Sequence, residues 1–183
     1  RPYQAGKPAR LPHRLPSDQE FTWPNAPASS GGALDLRAAP ANPNSGDHTT
    51  SLMDRSRKLA FVTALHPTRR LLLGYLFKTE EFPWVQNWEN YPPTQKMARG
   101  LEFSTQPFDV PRREVLQLHS LFDAPVYRWL PAKTKIESRF VMFYARTPEG
   151  FRRVDDVRLE NGRILIEDRK ANKQVSLAAS LPW

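Results

Sequence analysis

Cysteine is absent from the 183 residues, which excludes disulfides and thiolate metal sites and leaves the redox compartment open. Histidine is scarce. The four present (His13, His48, His66 and His119) show no H-x-x-x-H or comparable ligand spacing, so no metal site and no cofactor is expected. No apolar run approaches the roughly 20 residues of a membrane-spanning helix, and Leu71-Leu72-Leu73 is short enough to be a piece of a buried strand. No signal-peptide pattern stands at the start, which is Arg1 rather than Met, and a segment removed or omitted upstream is one expectation. Nothing in the pattern assigns a localisation.

Positive charge is in excess but not concentrated. The 27 Lys and Arg against 19 Asp and Glu leave +8, and the basic residues come singly or in pairs (Arg69-Arg70, Arg112-Arg113, Arg152-Arg153, Arg169-Lys170) mixed with acids. No stripe forms of the kind that tracks a phosphate backbone, so a solvated face is the reading and no nucleic acid is expected as partner. An oligonucleotide-binding β-protein using charge and aromatics stands only as a third-ranked alternative, whose affinity would fall steeply with salt.

The length predicts one globular unit with a sizeable core. Residues 1–45 hold eight of the eighteen prolines and the run Ser29-Ser30-Gly31-Gly32, and read as a loop-rich lead-in. Within it Phe21 to Pro24 and Ala33 to Arg37 could each add a short strand, the alternative being a disordered tail. Residues 46–183 form the second division, a β-sandwich. There, short apolar runs separated by Pro, Gly and Asn predict antiparallel strands near 59–65, 70–77, 84–90, 100–106, 126–130, 134–146, 151–159, 163–168 and 173–178. Asn161-Gly162 is the clearest hairpin turn, because both residues tolerate the positive φ of a type I′ turn. Only 112–122 looks helical. In 134–146 the first half has one wet face and the second is apolar on both, which predicts a strand running into the middle of a sandwich with both faces covered. The fold class is therefore all-β, an antiparallel β-sandwich.

Two segments carry chemistry. In Phe82 to Tyr91, strand alternation puts Trp84, Gln86, Trp88 and Asn90 on one face and Val85, Asn87, Glu89 and Tyr91 on the other. Two indoles with an amide between them make a flat apolar surface with hydrogen-bonding edges, suited to the C–H faces and hydroxyls of a pyranose; the alternative is that both are core. In Arg99 to Phe108, Glu102, Ser104 and Gln106 share a face, and a carboxylate beside neutral polar groups can take a proton from a bound hydroxyl. The alternative is an ordinary polar surface strand.

These segments resemble the carboxy-terminal half of the galactose-mutarotase (aldose 1-epimerase) superfamily. Pro83-Trp84-Val85-Gln86-Asn87-Trp88 is similar to its Pro-x-x-Gln-x-Trp/Tyr segment, and Leu101-Glu102 with Gln106-Pro107 to its Leu-Glu-x-Gln-x-x-Pro segment. The spacing departs from the pattern by two extra residues between Glu102 and Gln106. The resemblance spans about Thr49 to Arg146 and implies a β-supersandwich binding a monosaccharide or other carbohydrate, with Glu102 as catalytic base. Trp84, Gln86, Trp88, Glu89, Gln106 and His48 are the substrate-binding candidates. A histidine of that family protonates the ring oxygen; its position lies upstream of the matched residues, which leaves His48 and His66 as weak candidates for the acid. Members are much longer than this chain. The expectation is thus either a carboxy-terminal piece completed by a missing amino-terminal half, or a relative that binds sugar without turnover. A truncated sheet of this kind would expose strand edges, so self-association is a further expectation. The alternative from another class is a non-catalytic carbohydrate-binding or interaction sandwich, with Glu102 structural.

Overall fold

The computed structural model describes residues 11–94 and 96–179. Its regular structure is nearly all strand, with antiparallel pairing throughout and one short helix: an all-β, sandwich-like fold. In chain order the first elements are β1 (Asn25–Pro27), β2 (Ala33–Asp35), β3 (Ser45–Leu52), β4 (Leu59–His66) and β5 (Leu71–Lys78). They are followed by β6 (Trp84–Tyr91), β7 (Ala98–Ser104), the helix α1 (Arg112–Leu118), β8 (Ser120–Leu121) and β9 (Ala124–Pro125). Last come β10 (Phe140–Arg146), β11 (Asp156–Glu160), β12 (Arg163–Asp168) and β13 (Lys173–Ala178). The chain passes three times between two compact units, one from Arg1–Met53 with Phe82–Lys133, the other from Asp54–Glu81 with Thr134–Trp183. Where the sequence predicts one globular unit divided at residue 45, the structure has two units, each assembled from two chain segments.

The second unit is a two-layer sandwich. One layer is the sheet β10-β5-β4 and the other β11-β12-β13. Leu72 and Leu76 of β5, Phe143 and Ala145 of β10, Ile164 and Ile166 of β12, Val157 and Val175 pack between them with Phe151. Branched and aromatic side chains at every second position fill such an interlayer space, each contributing about 1.5–3 kcal/mol on burial. Gly74 is required by that packing: a Cβ there would stand 2.2 Å from the Phe143 ring. The β11–β12 hairpin turns at Asn161 and Gly162, both at positive φ, as the dipeptide predicts. At the other end of β12, the buried carboxylate of Asp168 accepts the backbone N–H groups of Arg152 (2.7 Å), Arg153 (3.2 Å) and Ala171 (2.9 Å), which ties two loops together and holds its pKa low despite burial.

The expectation for 134–146 is corrected in two ways. Strand begins only at Phe140, and the outer face of β10 is not covered: Phe140, Met142 and Tyr144 are more than half exposed while Phe143 and Ala145 are buried. Local apolar composition does not report which face finds a partner. The predicted strand at 126–130 is likewise absent; the chain there leaves the two-residue β9 and runs irregularly.

The first unit is built on the sheet β3-β6-β7. Its outer strand β3 lies in a segment, Ser45 to Leu52, that the sequence pattern leaves unassigned, because Ser-Gly-Asp-His-Thr-Thr has little apolar alternation. Pairing with the strongly strand-forming β6, from Ser45 opposite Tyr91 to Leu52 opposite Trp84, overrides that weak local preference. The lead-in from residue 11 onward is ordered by burial. Leu15, Ala26 and Leu36 form a core of their own under the β1–β2 hairpin, and Gly46 N–H donates to the Pro12 carbonyl at 3.1 Å. Its first ten residues lie outside the described residues.

Candidate functional site

Antiparallel pairing brings opposed residues to one side of a sheet, so the register sorts the polar residues of β3, β6 and β7 onto two faces. His48 lies opposite Trp88, and Trp88 opposite Gly100; Thr50 lies opposite Gln86, and Gln86 opposite Glu102. These side chains share the first face. Asp47 lies opposite Glu89 and Glu89 opposite Arg99, and Thr49 lies opposite Asn87; these share the second.

The second face is a closed ionic network under the lead-in. Asp47 and Glu89 are buried, at 3% and 2% exposure. The Arg14 guanidinium reaches both, bonding Asp47 Oδ2 through Nε at 3.2 Å and Glu89 Oε2 through Nη2. Arg99 Nη2 donates to Glu89 Oε1 at 2.7 Å, and its Nε to the Tyr91 hydroxyl at 2.9 Å. Asn87 Nδ2 donates to Glu89 Oε1 at 3.0 Å. Asp47 also accepts the backbone N–H groups of Arg14 and Leu15. Two buried carboxylates facing two guanidiniums, each with further hydrogen bonds, are a structural clamp. Glu89, a candidate for substrate binding, therefore belongs to the side away from Glu102, and its oxygens are committed to two arginines.

The first face changes character along its length. At one end Trp84 is fully buried with Phe108, Val115, Leu121, Ala124 and Val126, under α1 and the β8–β9 hairpin. Its indole Nε1–H donates to the Pro125 carbonyl at 2.9 Å. The hairpin can turn back over the sheet because Phe122 and Asp123 both hold positive φ, the geometry of a type I′ turn. The helix is stopped at His119, itself at positive φ. The expectation that Trp84 and Trp88 form one accessible surface is corrected here: Trp84 is core, and Trp88 alone, 40% exposed, offers an indole face.

Beyond Trp84 this face is open, and Glu102, Gln86 and His48 stand with Trp88. Glu102 is exposed, with no ion pair to any described residue. Partial desolvation, with the nearby Asp109 carboxylate second, raises its pKa above the ordinary glutamate value. Its carboxyl bends over Gly100, where a Cβ would meet Oε1 at 2.8 Å and Trp88 Cβ at 3.6 Å. Glycine at 100 is what allows the acid to lie back against Trp88. Gln86 is buried, and its Nε2 donates to the Gln106 carbonyl at 3.3 Å. Gln106 in turn uses its own Nε2 on the Phe108 carbonyl at 3.0 Å, so its side chain shapes the loop after β7. His48 interacts with Gln86; burial lowers its pKa, opposed by Asp109 and by the Gln86 hydrogen bond, leaving the imidazole neutral near pH 7. Asp109, which the sequence pattern did not single out, acts electrostatically on both His48 and Glu102. No local signal marks it, since it comes from the irregular segment after β7.

Two strand spacings separate the lines of His48 and Glu102, about 10 Å. Of the other histidines, His66 accepts the Arg69 N–H through Nδ1 at 3.3 Å in the β4–β5 turn, and His13 lies 3.5 Å from Asp47 on the clamp side. Among the described residues no group of three or more His, Cys, Asp or Glu could hold a metal, and no helix is long and apolar enough to cross a membrane. No protein-family model, no curated protein and no solved structure matches this chain.

Proposed function

We propose that this protein binds a carbohydrate on the open face of the β3-β6-β7 sheet and exchanges the anomers of an aldose, in the manner of the mutarotase-like supersandwich proteins that its sequence resembles. The observation that carries the reading is the gathering of Glu102, Gln86, His48 and the half-exposed Trp88 on one sheet face. Trp88 stacks on the apolar face of the sugar. His48, held by its hydrogen bond to the buried Gln86, contacts the sugar's hydroxyls. Glu102 takes the proton from the anomeric hydroxyl; the oxygen's electron pair closes the C1 carbonyl as the bond from C1 to the ring oxygen breaks, and that oxygen takes a proton from solvent water. Rotation about C1–C2 and the reverse steps give the other anomer. A raised pKa makes Glu102 a stronger base than an ordinary carboxylate at neutral pH.

Optical rotation of freshly dissolved α-glucose and α-galactose tests this. The wild-type chain is expected to speed the change, and Glu102→Gln to lose about a hundredfold or more of that acceleration while keeping sugar binding. Equal rates with and without the chain would remove the catalytic claim. The second reading, a carbohydrate-binding module without turnover, is favoured by one observation: a His48 held neutral by burial is a poor source of the proton that the ring oxygen needs. It predicts quenching of Trp88 fluorescence by sugar with no change in mutarotation rate.

A further inference from the structure

In the second unit one sheet ends on an apolar strand. In the order β10-β5-β4, β10 pairs with β5 alone among the described residues. Its seven residues, Phe-Val-Met-Phe-Tyr-Ala-Arg, hold no charge before Arg146 and no proline or glycine. Other edge strands carry devices that discourage pairing with a further chain: β11 has Asp156, Arg158 and Glu160, and β7 has Arg99, Gly100 and Glu102. Thr147 N–H donates to the Arg70 carbonyl at 2.9 Å, continuing the β10–β5 register. Bonded pairs recur at every second residue, so Ala145, Phe143 and Val141 face β5 while Met142, Tyr144 and Arg146 turn N–H and C=O to the open edge. The exposed side chains are those of the same set: Met142 is 62% exposed, Tyr144 63% and Phe140 52%, the last packed on Tyr75 with ring centroids 6.1 Å apart. Ala60, Val62 and Phe77 of that sheet face are buried, so its open part follows β10.

We propose that β10 is the contact strand of a symmetric dimer, in which two copies of this chain pair edge to edge and join their β10-β5-β4 sheets into one of six strands. A two-fold axis at Phe143 overlaps the strand with itself completely and sets outward-turned residues opposite one another, as antiparallel bonding requires. Met142 then stands opposite the partner's Tyr144, and Phe140 opposite the partner's Arg146, each pair occurring twice. A thioether beside an aromatic ring and a guanidinium beside another are both attractive, and the two arginines lie at opposite ends. A slip of two residues sets Arg146 opposite Ser138 in one direction and Phe140 opposite Pro148 in the other, both outside the strand. This match of the strand to its own reverse is what names a second copy as the occupant. Pairing side by side covers the flanks of the exposed side chains and not the whole face, so the association belongs to the weak class, under about 1,200 Å² in total. It concerns the unit that does not hold Glu102, and stands apart from the carbohydrate reading.

The test is sedimentation equilibrium of the full chain from about 1 µM to about 500 µM, where the wild type is expected to pass from monomer to dimer with half-association on the order of tens of micromolar. Monomer throughout would overturn the dimer. Met142→Lys combined with Tyr144→Lys sets like charges opposite each other at both crossings and should weaken association about tenfold or more. Association unchanged in that variant would place the contact elsewhere and overturn it too. Because the chain has no cysteine, Met142→Cys and Tyr144→Cys chains each carry a single thiol. Mixed and oxidised, they are expected to join as unlike pairs in clear excess over like pairs, since opposed residues of a bonded pair stand about 5.5 Å apart, within disulfide reach. A merely statistical mixture of like and unlike pairs would overturn the pairing of 142 with 144. Circular dichroism of each variant at low concentration, expected to match wild type because both side chains are more than half exposed, separates lost pairing from lost folding. Should the lysine variant unfold, the cysteine chains, each with one exposed change, still decide.

Discussion

The two faces of the β3-β6-β7 sheet are made by alternate residues of the same strands, yet they treat polar side chains in opposite ways. On the clamp face Asp47 and Glu89 are buried and matched by Arg14 and Arg99. On the open face Glu102 faces no cation among the described residues, and its nearest electrostatic neighbour is another carboxylate, Asp109. Burial with a matched partner makes a charge structural; partial desolvation beside a like charge raises a carboxyl's pKa. One strand, β6, supplies both kinds, through Glu89 and through Gln86 with Trp88.

The comparison is broken most severely by exchanging roles within β6. Trp84→Ala should cost about 4 kcal/mol in urea unfolding, because it empties a fully enclosed site and orphans the Pro125 carbonyl. Trp88→Ala should cost under about 1 kcal/mol, since that ring is 40% exposed, and should weaken sugar binding instead. Similar unfolding costs for the two would deny the difference between the ends of this face.

Next in size is the pair of glutamates. Glu89→Gln leaves Arg14 and Arg99 facing a neutral amide in a largely buried network, and an expected loss of about 3 kcal/mol follows from an uncompensated charge. Glu102→Gln should leave stability within about 0.5 kcal/mol of wild type, as an exposed change without an ion partner does. If both substitutions were silent in unfolding, the clamp would be no clamp.

The smallest effect is in the pH dependence of stability. His48 has its folded pKa below its ordinary 6.5, so below pH 6.5 the unfolded chain takes up a proton that the fold resists, and stability falls as pH drops toward the folded value. Glu102 works the other way. Its folded pKa lies above 4.5, so its contribution is complete below 4.5 and is lost as pH rises through the folded value. Urea unfolding between pH 7.5 and 5 should therefore show a shallower decline for His48→Gln and a steeper one for Glu102→Gln than for wild type. Identical slopes in all three would mean that neither group is desolvated.

Much of the strand order was legible because it is written locally. The runs at Leu59, Leu71, Trp84, Ile164 and Val175 are short, apolar and bounded by turn residues, and Asn161-Gly162 names its own turn. The strand period of two sorted Glu89 from Gln86 and Trp88 before any tertiary contact was known. It could not find β3, whose polar residues become a strand only through the partner β6, nor see that a proline-rich lead-in would build a core around Leu15, Ala26 and Leu36. It also could not distinguish Trp84 from Trp88.

By itself the sequence determined what is periodic and short-range: an all-β chain without cysteine, its main hairpin, and which side chains of each strand share a face. Tertiary structure alone decided which faces are covered. Coverage depends on segments distant in the chain, α1 and the β8–β9 hairpin over Trp84 and the lead-in over Glu89, and no local period encodes where they come to rest. Whether an acid is a buried partner or an available base follows from that coverage, because desolvation and paired charge are properties of the surroundings and not of the residue.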